Sequence, residues 1–172
     1  MHQHVAEALD VHRRAAGEVQ QGALELRGAG RIAFAEFNYP TKIILAWIKA
    51  LEGHKDLEKF LYDNGYEEIF FLNQALNLKQ EARDWLLANG YPHLMAFVNA
   101  AEGNESAQHW LQVHGFEFLY NAAIAVDDEE AGFKWLNLHT DEFIFGLIKT
   151  IKTVKDKIEF NHNDMYSFGK DV

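Results

Sequence analysis

The chain has 172 residues, 48% of them hydrophobic, so it is long enough to bury the core of a single domain spanning residues 1–172. Its 26 Asp and Glu residues outnumber 16 Lys and Arg, and the formal charge of −10 argues against binding to a nucleic-acid backbone. The absence of cysteine excludes disulfides, thiolate zinc sites and cysteine nucleophiles. No segment reaches the roughly 18 unbroken apolar residues that a membrane helix needs, so we expect no membrane association.

The N-terminal segment 1–30 is predicted to form one or two helices that cap the region following them. Apolar residues recur there among good helix formers, and glycines interrupt or flank the pattern. The segment begins Met-His-Gln-His, with no basic start and no apolar run of the kind found in secretory leaders. We therefore expect a cytoplasmic protein.

The region from residue 31 to 153 contains an internal repeat of 25 residues. An aromatic residue followed by leucine recurs at that spacing, and a glycine followed by another aromatic recurs shortly after it. The pairs are Phe60-Leu61, Trp85-Leu86, Trp110-Leu111 and Trp135-Leu136, and the glycines are Gly65, Gly90 and Gly115. The period divides the region into units near residues 31–53, 54–78, 79–103, 104–128 and 129–153.

Each unit is predicted to be a pair of short helices. Gly65 would end the first helix of its unit in the left-handed conformation, with Tyr66 contacting Leu61 as in a Schellman motif. The second helix would begin almost at once, because Pro92 suits a first helical position and Glu67 in the same column suits a positive helix end. Caps for the next unit are offered by Asn104 or Ser106 and by Asp127 or Asp128.

The ends of the array depart from the pattern, as the terminal units of a stack must. Thr41 and Asp141 replace the aromatic residue and are predicted to cap their helices. Residues 154–172 are predicted to be the end of the last helix and, after Phe160, a loose polar tail. The predicted fold is therefore all-α: a right-handed α–α superhelix, or solenoid, of about five helical hairpins with N-terminal capping helices.

The segment from Ala100 to Gly115 resembles the two-helix part of an ankyrin repeat, and Gln80 to Gly90 is similar. The resemblance covers helical pairs from about residue 41 to 140. It does not extend to the ankyrin β-hairpin or to the motif that opens each ankyrin unit, whose period is about 33 residues. The resemblance implies protein binding across a curved face.

Two histidines, His114 and His139, occupy one repeat column, which Asn64 and Asn89 fill in earlier units. Stacked units could bring the two imidazoles together around a metal ion, with Glu117 or Glu142 as a further ligand. The column is also the predicted helix C-cap, where Asn and His are both tolerated, and this second interpretation is favoured. We therefore predict no metal site and no cofactor, with His114 and His139 as the weak candidates.

No catalytic constellation is found in the sequence. The only serines, Ser106 and Ser167, lie outside any nucleophile motif, and Gly28-Ala29-Gly30 lacks the other residues of a phosphate loop. The run Asp127 to Glu130 lacks the ligand spacing of a calcium loop. The tryptophans of the repeat are expected in the core, since each is followed directly by the repeated leucine.

The hypothesis favoured by these patterns is a non-catalytic scaffold or interaction module that binds a protein or peptide across the repeat surface. The expected contact residues are a mostly polar column along the second helices and exposed aromatics in variable columns, namely Lys49, Gln74, Asn99, Tyr62, Phe71 and Tyr120. The alternative is a helical domain that binds a small ligand or metal in a pocket containing histidines. Association of copies through an uncapped end of the stack is left open.

Overall fold

A computed structural model describes residues 36–167, with side chains for residues 36–163. Within that range the chain forms nine helices and no strand. The helices are α1 (Thr41–Leu51), α2 (Lys55–Asp63), α3 (Glu67–Leu76), α4 (Gln80–Ala88), α5 (Pro92–Ala101), α6 (Glu105–Val113), α7 (Glu117–Val126), α8 (Glu130–His139) and α9 (Glu142–Ser167). The prediction of an all-α protein is confirmed.

The helices form an inner and an outer set. The inner helices α1, α3, α5, α7 and α9 pack on one another in that order, and α9 also packs against α1 and α3. Each outer helix, α2, α4, α6 or α8, packs on the inner helices that precede and follow it in the chain. The first and last inner helices are therefore neighbours in space, although they begin as far apart in the sequence as Thr41 and Glu142.

The hydrophobic core follows the repeat. The leucine column Leu61, Leu86, Leu111 and Leu136 is completely buried, whereas the aromatic residue before each leucine is half-buried and packs against the core from outside. Helix α7 is buried at eight of its ten residues because helices surround it on several sides. The prediction that the tryptophans lie in the core is wrong in part: they are half-buried and pack on it from outside, and the leucines form its centre.

The predicted glycine turn is present in three units. Gly65, Gly90 and Gly115 have φ angles of 83°, 85° and 78°, in the region that side chains with a Cβ disfavour. In the first of these turns the N–H of Tyr66 donates to the carbonyl of Leu61 at 2.9 Å, which is the long hydrogen bond of the Schellman motif. Tyr91 and Phe116 make the same bond in the next two units.

The loop that joins each inner helix to the next outer helix contains another residue in the left-handed conformation, which the sequence did not reveal. The positions are Gly53, Leu78, Gly103 and Asp128, again one repeat period apart, with φ angles of 104°, 64°, 86° and 69°. Only two of the four residues are glycine. These units therefore share a backbone conformation that their residue types do not indicate.

The helix starts agree with the sequence at three points and differ at two. Pro92 is the first residue of α5, Asn104 accepts from the N–H of Ala107 at 2.9 Å, and Asp141 accepts from the N–H of Ile144 at 2.9 Å. Thr41 is instead the first helical residue, after Pro40 at the N-cap. The residue capping α8 is Glu129, which makes no side-chain cap bond, because Asp127 and Asp128 form the preceding turn.

Side chains tie successive units together in register. Arg83 Nη2 donates to the carbonyl of Ala75 at 3.3 Å, and in the next unit Gln108 Nε2 donates to the equivalent carbonyl of Ala100 at 3.2 Å. The same two side chains reach forward to Glu102 and Asp127, which are likewise equivalent positions of the repeat. Each of these outer-helix residues therefore adds a hydrogen bond to a carbonyl at the end of the preceding inner helix, which also accepts from a backbone N–H.

Residues 36–40 are not helical and cross the N-terminal ends of the inner helices. Phe37 packs against Trp47 and Phe118, with ring centroids 5.8 and 4.8 Å away. Tyr39 Oη donates to Glu68 Oε1 at 3.0 Å. We call residues 36–40 the strap, because they link α1, α3 and α7 at one end of the molecule.

The C-terminal helix is longer than predicted, since α9 continues to Ser167 where a polar tail was expected after Phe160. Pairs spaced four residues apart, Lys152 with Asp156 and Lys155 with Glu159, support this continuation, and no glycine or proline occurs between residues 147 and 168. The predicted capping helices of residues 1–30 lie outside the described residues. No helix in the described part is long and apolar enough to cross a membrane.

Candidate functional site

The outer helices leave grooves between them. In the described part of the chain each outer helix packs mainly on inner helices, so grooves run along the outside with an outer helix as wall and an inner helix as floor. One such groove lies beside α2 and has a volume of about 550 Å³. We call it the aromatic groove, and it is lined by Lys55, Glu58, Lys59, Tyr62, Asp63, Phe70 and Phe71.

Aromatic rings form the apolar part of this groove. The ring of Tyr62 stands edge-on to Phe70, with centroids 5.1 Å apart, and Phe70 is edge-on to Phe71 at the same distance. Phe71 in turn stacks on Trp85 of α4, with centroids 3.9 Å apart and planes inclined by 16°. Contacts of this kind fix the rings beyond what burial alone would do, so the floor is a preformed apolar surface.

The aromatic row continues beyond the groove into the next two units. Trp85 stacks on Tyr91, His93 stacks on Phe116, and Phe116 stacks on Trp110, with centroids 5.4 to 5.8 Å apart. These rings are mostly half-buried, so they present edges along the outside of the molecule. Tyr62, by contrast, is 44% exposed, which makes the aromatic groove the most accessible part of the row.

The charges of the groove are distributed unequally. Glu58 is only 4% exposed, and its carboxylate accepts from Lys55 Nζ at 2.8 Å, from Asn73 Nδ2 at 3.3 Å and from Gln74. The side chains of Lys55 and Lys59 are 80% and 74% exposed, and Lys59 also pairs with Asp63. The groove therefore buries its best-coordinated carboxylate and exposes its cations, in a protein whose overall charge is negative.

The six predicted contact residues do not form one surface. Tyr62 and Phe71 both line the aromatic groove, with ring centroids 6.3 Å apart, and half-buried Gln74 donates to Glu58 behind it. The remaining three lie elsewhere: Lys49 is exposed and pairs with Glu52, Asn99 is half-buried beside Arg83, and Tyr120 is half-buried on α7. The polar column is also interrupted by Ile124, which is buried.

His114 and His139 act as helix caps in this structure. The Nδ1 atom of each ring lies 2.8 Å from the carbonyl oxygen four residues earlier, so Nδ1 carries the proton and donates. Asn64 and Asn89 make the same bond with their amide nitrogen at 2.8 Å, so the whole column performs one role. Each imidazole also stacks on its own helix's tryptophan, at 4.1 and 4.3 Å.

The other described histidines are dispersed. His93 is half-buried between Tyr91 and Phe116, His54 is the N-cap of α2, and two are exposed, His109 on α6 and His162 on α9. Within residues 36–163 no group of three or more His, Asp or Glu side chains is arranged to hold a metal ion. The histidines therefore do not converge on a common site in the part of the chain that the structure describes.

Comparison of the chain with protein-family models, with curated proteins and with solved structures gave no match. The resemblance to the ankyrin helix pairs remains a prediction. Sequence reasoning missed Lys55, Glu58 and Lys59. A signal existed for Glu58 alone, in the column Glu58, Arg83 and Gln108, whose polar side chains all bond to an inner helix.

Proposed function

We propose that the protein is an interaction module whose aromatic groove binds a segment of a partner protein. The observation that carries the proposal is the exposed ring of Tyr62 above the preformed surface of Phe70 and Phe71, at the mouth of a groove of about 550 Å³. Exposed aromatic rings beside a concave surface are typical anchors of protein interfaces.

The charge of the groove defines the partner. The side chains of Lys55 and Lys59 are 80% and 74% exposed, although Lys55 Nζ donates to the buried carboxylate of Glu58 and Lys59 pairs with Asp63. A segment that places an aromatic or aliphatic side chain on the Phe70–Phe71 surface would therefore gain from carboxylates next to that side chain. The proposed ligand is an acidic segment with an apolar anchor.

We also infer that the helical pairs are equivalent units whose array closes on itself. Two kinds of observation support this architecture: the left-handed turns and carbonyl bonds that recur with the period of the sequence repeat, and the packing of α9 against α1. In an open solenoid each unit contacts only its neighbours. A closed array differs from the open right-handed superhelix that the repeat predicted, and it leaves the inner helices no free concave face.

The closed array directs binding to the outside. The sides of the inner helices are occupied with one another, as the burial of eight residues of α7 illustrates, so along the sides of the molecule a partner meets the outer helices and the grooves beside them. A ridge of second helices, which the sequence suggested, is interrupted by buried Ile124. The alternative of a histidine-containing ligand pocket gains no support, since neither the aromatic groove nor the cavity beside the distal half of α9 is lined by a histidine.

Selection from a random peptide library displayed on phage tests the proposal. We expect the full chain to enrich peptides that carry Trp, Phe or Leu beside Asp or Glu, and we expect Tyr62→Ser and Lys59→Gln to weaken binding of a selected peptide by about tenfold. Leu138→Ser is the matched control, because Leu138 is 75% exposed on another outer helix. Peptides that bind all three variants equally well would show that the groove is not the site.

A further inference from the structure

A second cavity lies at the opposite end of the molecule from the strap. The last residues of α3, α5 and α7 form one side of it, and the distal half of α9 forms the other. Its walls are apolar, including Leu76, Val98, Val126, Ile151, Val154 and Ile158, and its volume is about 110 Å³. We call it the end pocket.

The size of the end pocket suits one side chain rather than a metabolite. Pockets for small ligands usually measure roughly 300–1,000 Å³. An apolar cavity of about 150 Å³ is enough to hold a benzene molecule and stays dry when empty. A cavity of 110 Å³ open to solvent therefore has room for a single aliphatic side chain of another molecule.

Three charged residues line this pocket, namely Glu102, Lys155 and Glu159, and ion pairs connect Glu102 with Arg83 and Lys155 with Asp127. The cations Arg83, Lys152 and Lys155 have only 14–24% of their side chains exposed, because each lies against carboxylates. The carboxylates Glu102, Asp127, Asp128, Asp156 and Glu159 are 25–66% exposed. Among the residues that line the pocket, Glu102 and Glu159 are 38% and 55% exposed and Lys155 is 14% exposed, so its carboxylates face solvent more than its cation does.

We propose that the end pocket is a second docking site, which takes one aliphatic side chain from a basic segment of a partner protein. The apolar walls provide the anchor, and the exposed carboxylates attract and orient a segment with Lys or Arg on either side of it. The formal charge of −10 on the whole chain draws the same kind of partner by long-range attraction. A second copy of this chain fits less well, because it carries the same excess of negative charge.

The site is independent of the aromatic groove and has the opposite preference. In the groove the cations Lys55 and Lys59 are exposed and Glu58 is buried, whereas at the end pocket the cations are covered. The two sites would therefore select segments of opposite charge. Loss of one site would leave the other intact.

A short fluorescein-labelled peptide, built of lysine with leucine at helical spacing, is a suitable probe for fluorescence anisotropy with the full chain. We expect binding that weakens as salt is added, because opposite charges attract each other less when screened. A peptide with serine in place of each leucine and one with glutamate in place of each lysine should each bind at least about tenfold more weakly.

Two variants of α9 distinguish binding in the pocket from binding to the surface around it. Ile158→Asn places a neutral polar group in the pocket wall and should weaken binding of the lysine–leucine peptide about fivefold or more. Phe160→Asn is the matched control, since Phe160 is 69% exposed on the same helix outside the pocket, and it should change binding less than about twofold. Circular dichroism melting confirms that both variants fold, and Tyr62→Ser should bind this peptide normally.

Three results would overturn the proposal. Equal binding by Ile158→Asn and the unchanged chain would show that the pocket is not the anchor site. Equal binding of the serine or glutamate peptide would show that the apolar side chain or the charge is irrelevant. A dimer in light scattering that dissociates when Ile158 is replaced would assign the pocket to a second copy of the chain.

Discussion

Gly132 marks a close approach between α8 and α7. A Cβ atom at this position would lie 2.5 Å from both the carbonyl oxygen of Asn121 and the amide nitrogen of Ala125, which are backbone atoms of α7. The same column holds Ala82 and Ala107 in earlier units, where a methyl group is accommodated and buried or half-buried. Outer helix α8 therefore lies nearer to the preceding inner helix, α7, than the outer helices of the earlier units lie to theirs.

The two helical glycines Gly132 and Gly146 allow a matched comparison. Alanine ordinarily stabilises a helix by up to about 1 kcal/mol relative to glycine. For Gly146→Ala, where a Cβ would meet nothing within 4 Å, we expect that gain. Gly132→Ala should instead destabilise by about 1–3 kcal/mol, because α8 must move away from α7. Urea unfolding measures both, and an equal stabilisation of the two variants would contradict the close packing.

The capping column makes a prediction about His114. Because Asn89 makes the same bond to the carbonyl four residues earlier, His114→Asn should leave the free energy of unfolding within about 0.5 kcal/mol of the unchanged chain. His114→Ala removes the donor and the ring that stacks on Trp110, so it should cost about 1 kcal/mol or more. Thermal unfolding of both variants decides the matter, and an alanine variant as stable as the asparagine variant would refute the capping role.

At the scale of elements, the strap is the part that departs most from the repeat. Glu36 accepts a hydrogen bond from the N–H of Phe118 at 3.3 Å, at the start of α7, and Phe37 fills the space between α1 and α7. Burial raises the pKa of Glu36 above its ordinary value, and the bonds from backbone N–H groups offset only part of that effect. The charged carboxylate is therefore held where burial disfavours it.

This shift predicts a pH dependence that Glu36→Gln should remove. A raised pKa in the folded state means that protonation favours folding, so the contribution of Glu36 is full below its unfolded pKa and is lost as the pH rises. The glutamine variant should thus be more stable than the unchanged chain at pH 7, and the difference should shrink toward pH ~4. Urea unfolding at several pH values measures this, with exposed Glu81→Gln as the control. A variant that is less stable at every pH would contradict the account.

The sequence predicted the regular elements well and the exceptions poorly. Gly65, Gly90 and Gly115 revealed their turns because only glycine tolerates that conformation freely, and the leucine column revealed the core. The second turn was hidden because Leu78 and Asp128 adopt a left-handed conformation under tertiary constraint. The charged part of the aromatic groove was hidden for a related reason, since the burial of Glu58 depends on neighbours from two helices.

At the scale of the whole molecule, the contact between α1 and α9 determines which surfaces a partner can reach. A repeat in the sequence shows that the units resemble one another. It does not show whether their stack closes, because closure depends on small rotations added over several units. Lys49 and Lys149, which lie on the two helices that meet, are exposed to solvent. Their equivalents in the repeat are half-buried or buried, namely Gln74, Asn99 and Ile124. The outward grooves then remain as the accessible concave surfaces.

The distance between the first and last inner helices tests this account most directly. Since the chain contains no cysteine, Leu45→Cys and Lys149→Cys place two spin labels at exposed positions of α1 and α9 without further changes. Neighbouring helices lie about 8–10 Å apart, so a closed stack predicts a label-to-label distance below about 25 Å in double electron–electron resonance. A single peak near ~40 Å, the span of about four helix spacings, would show an open stack and contradict the closed arrangement.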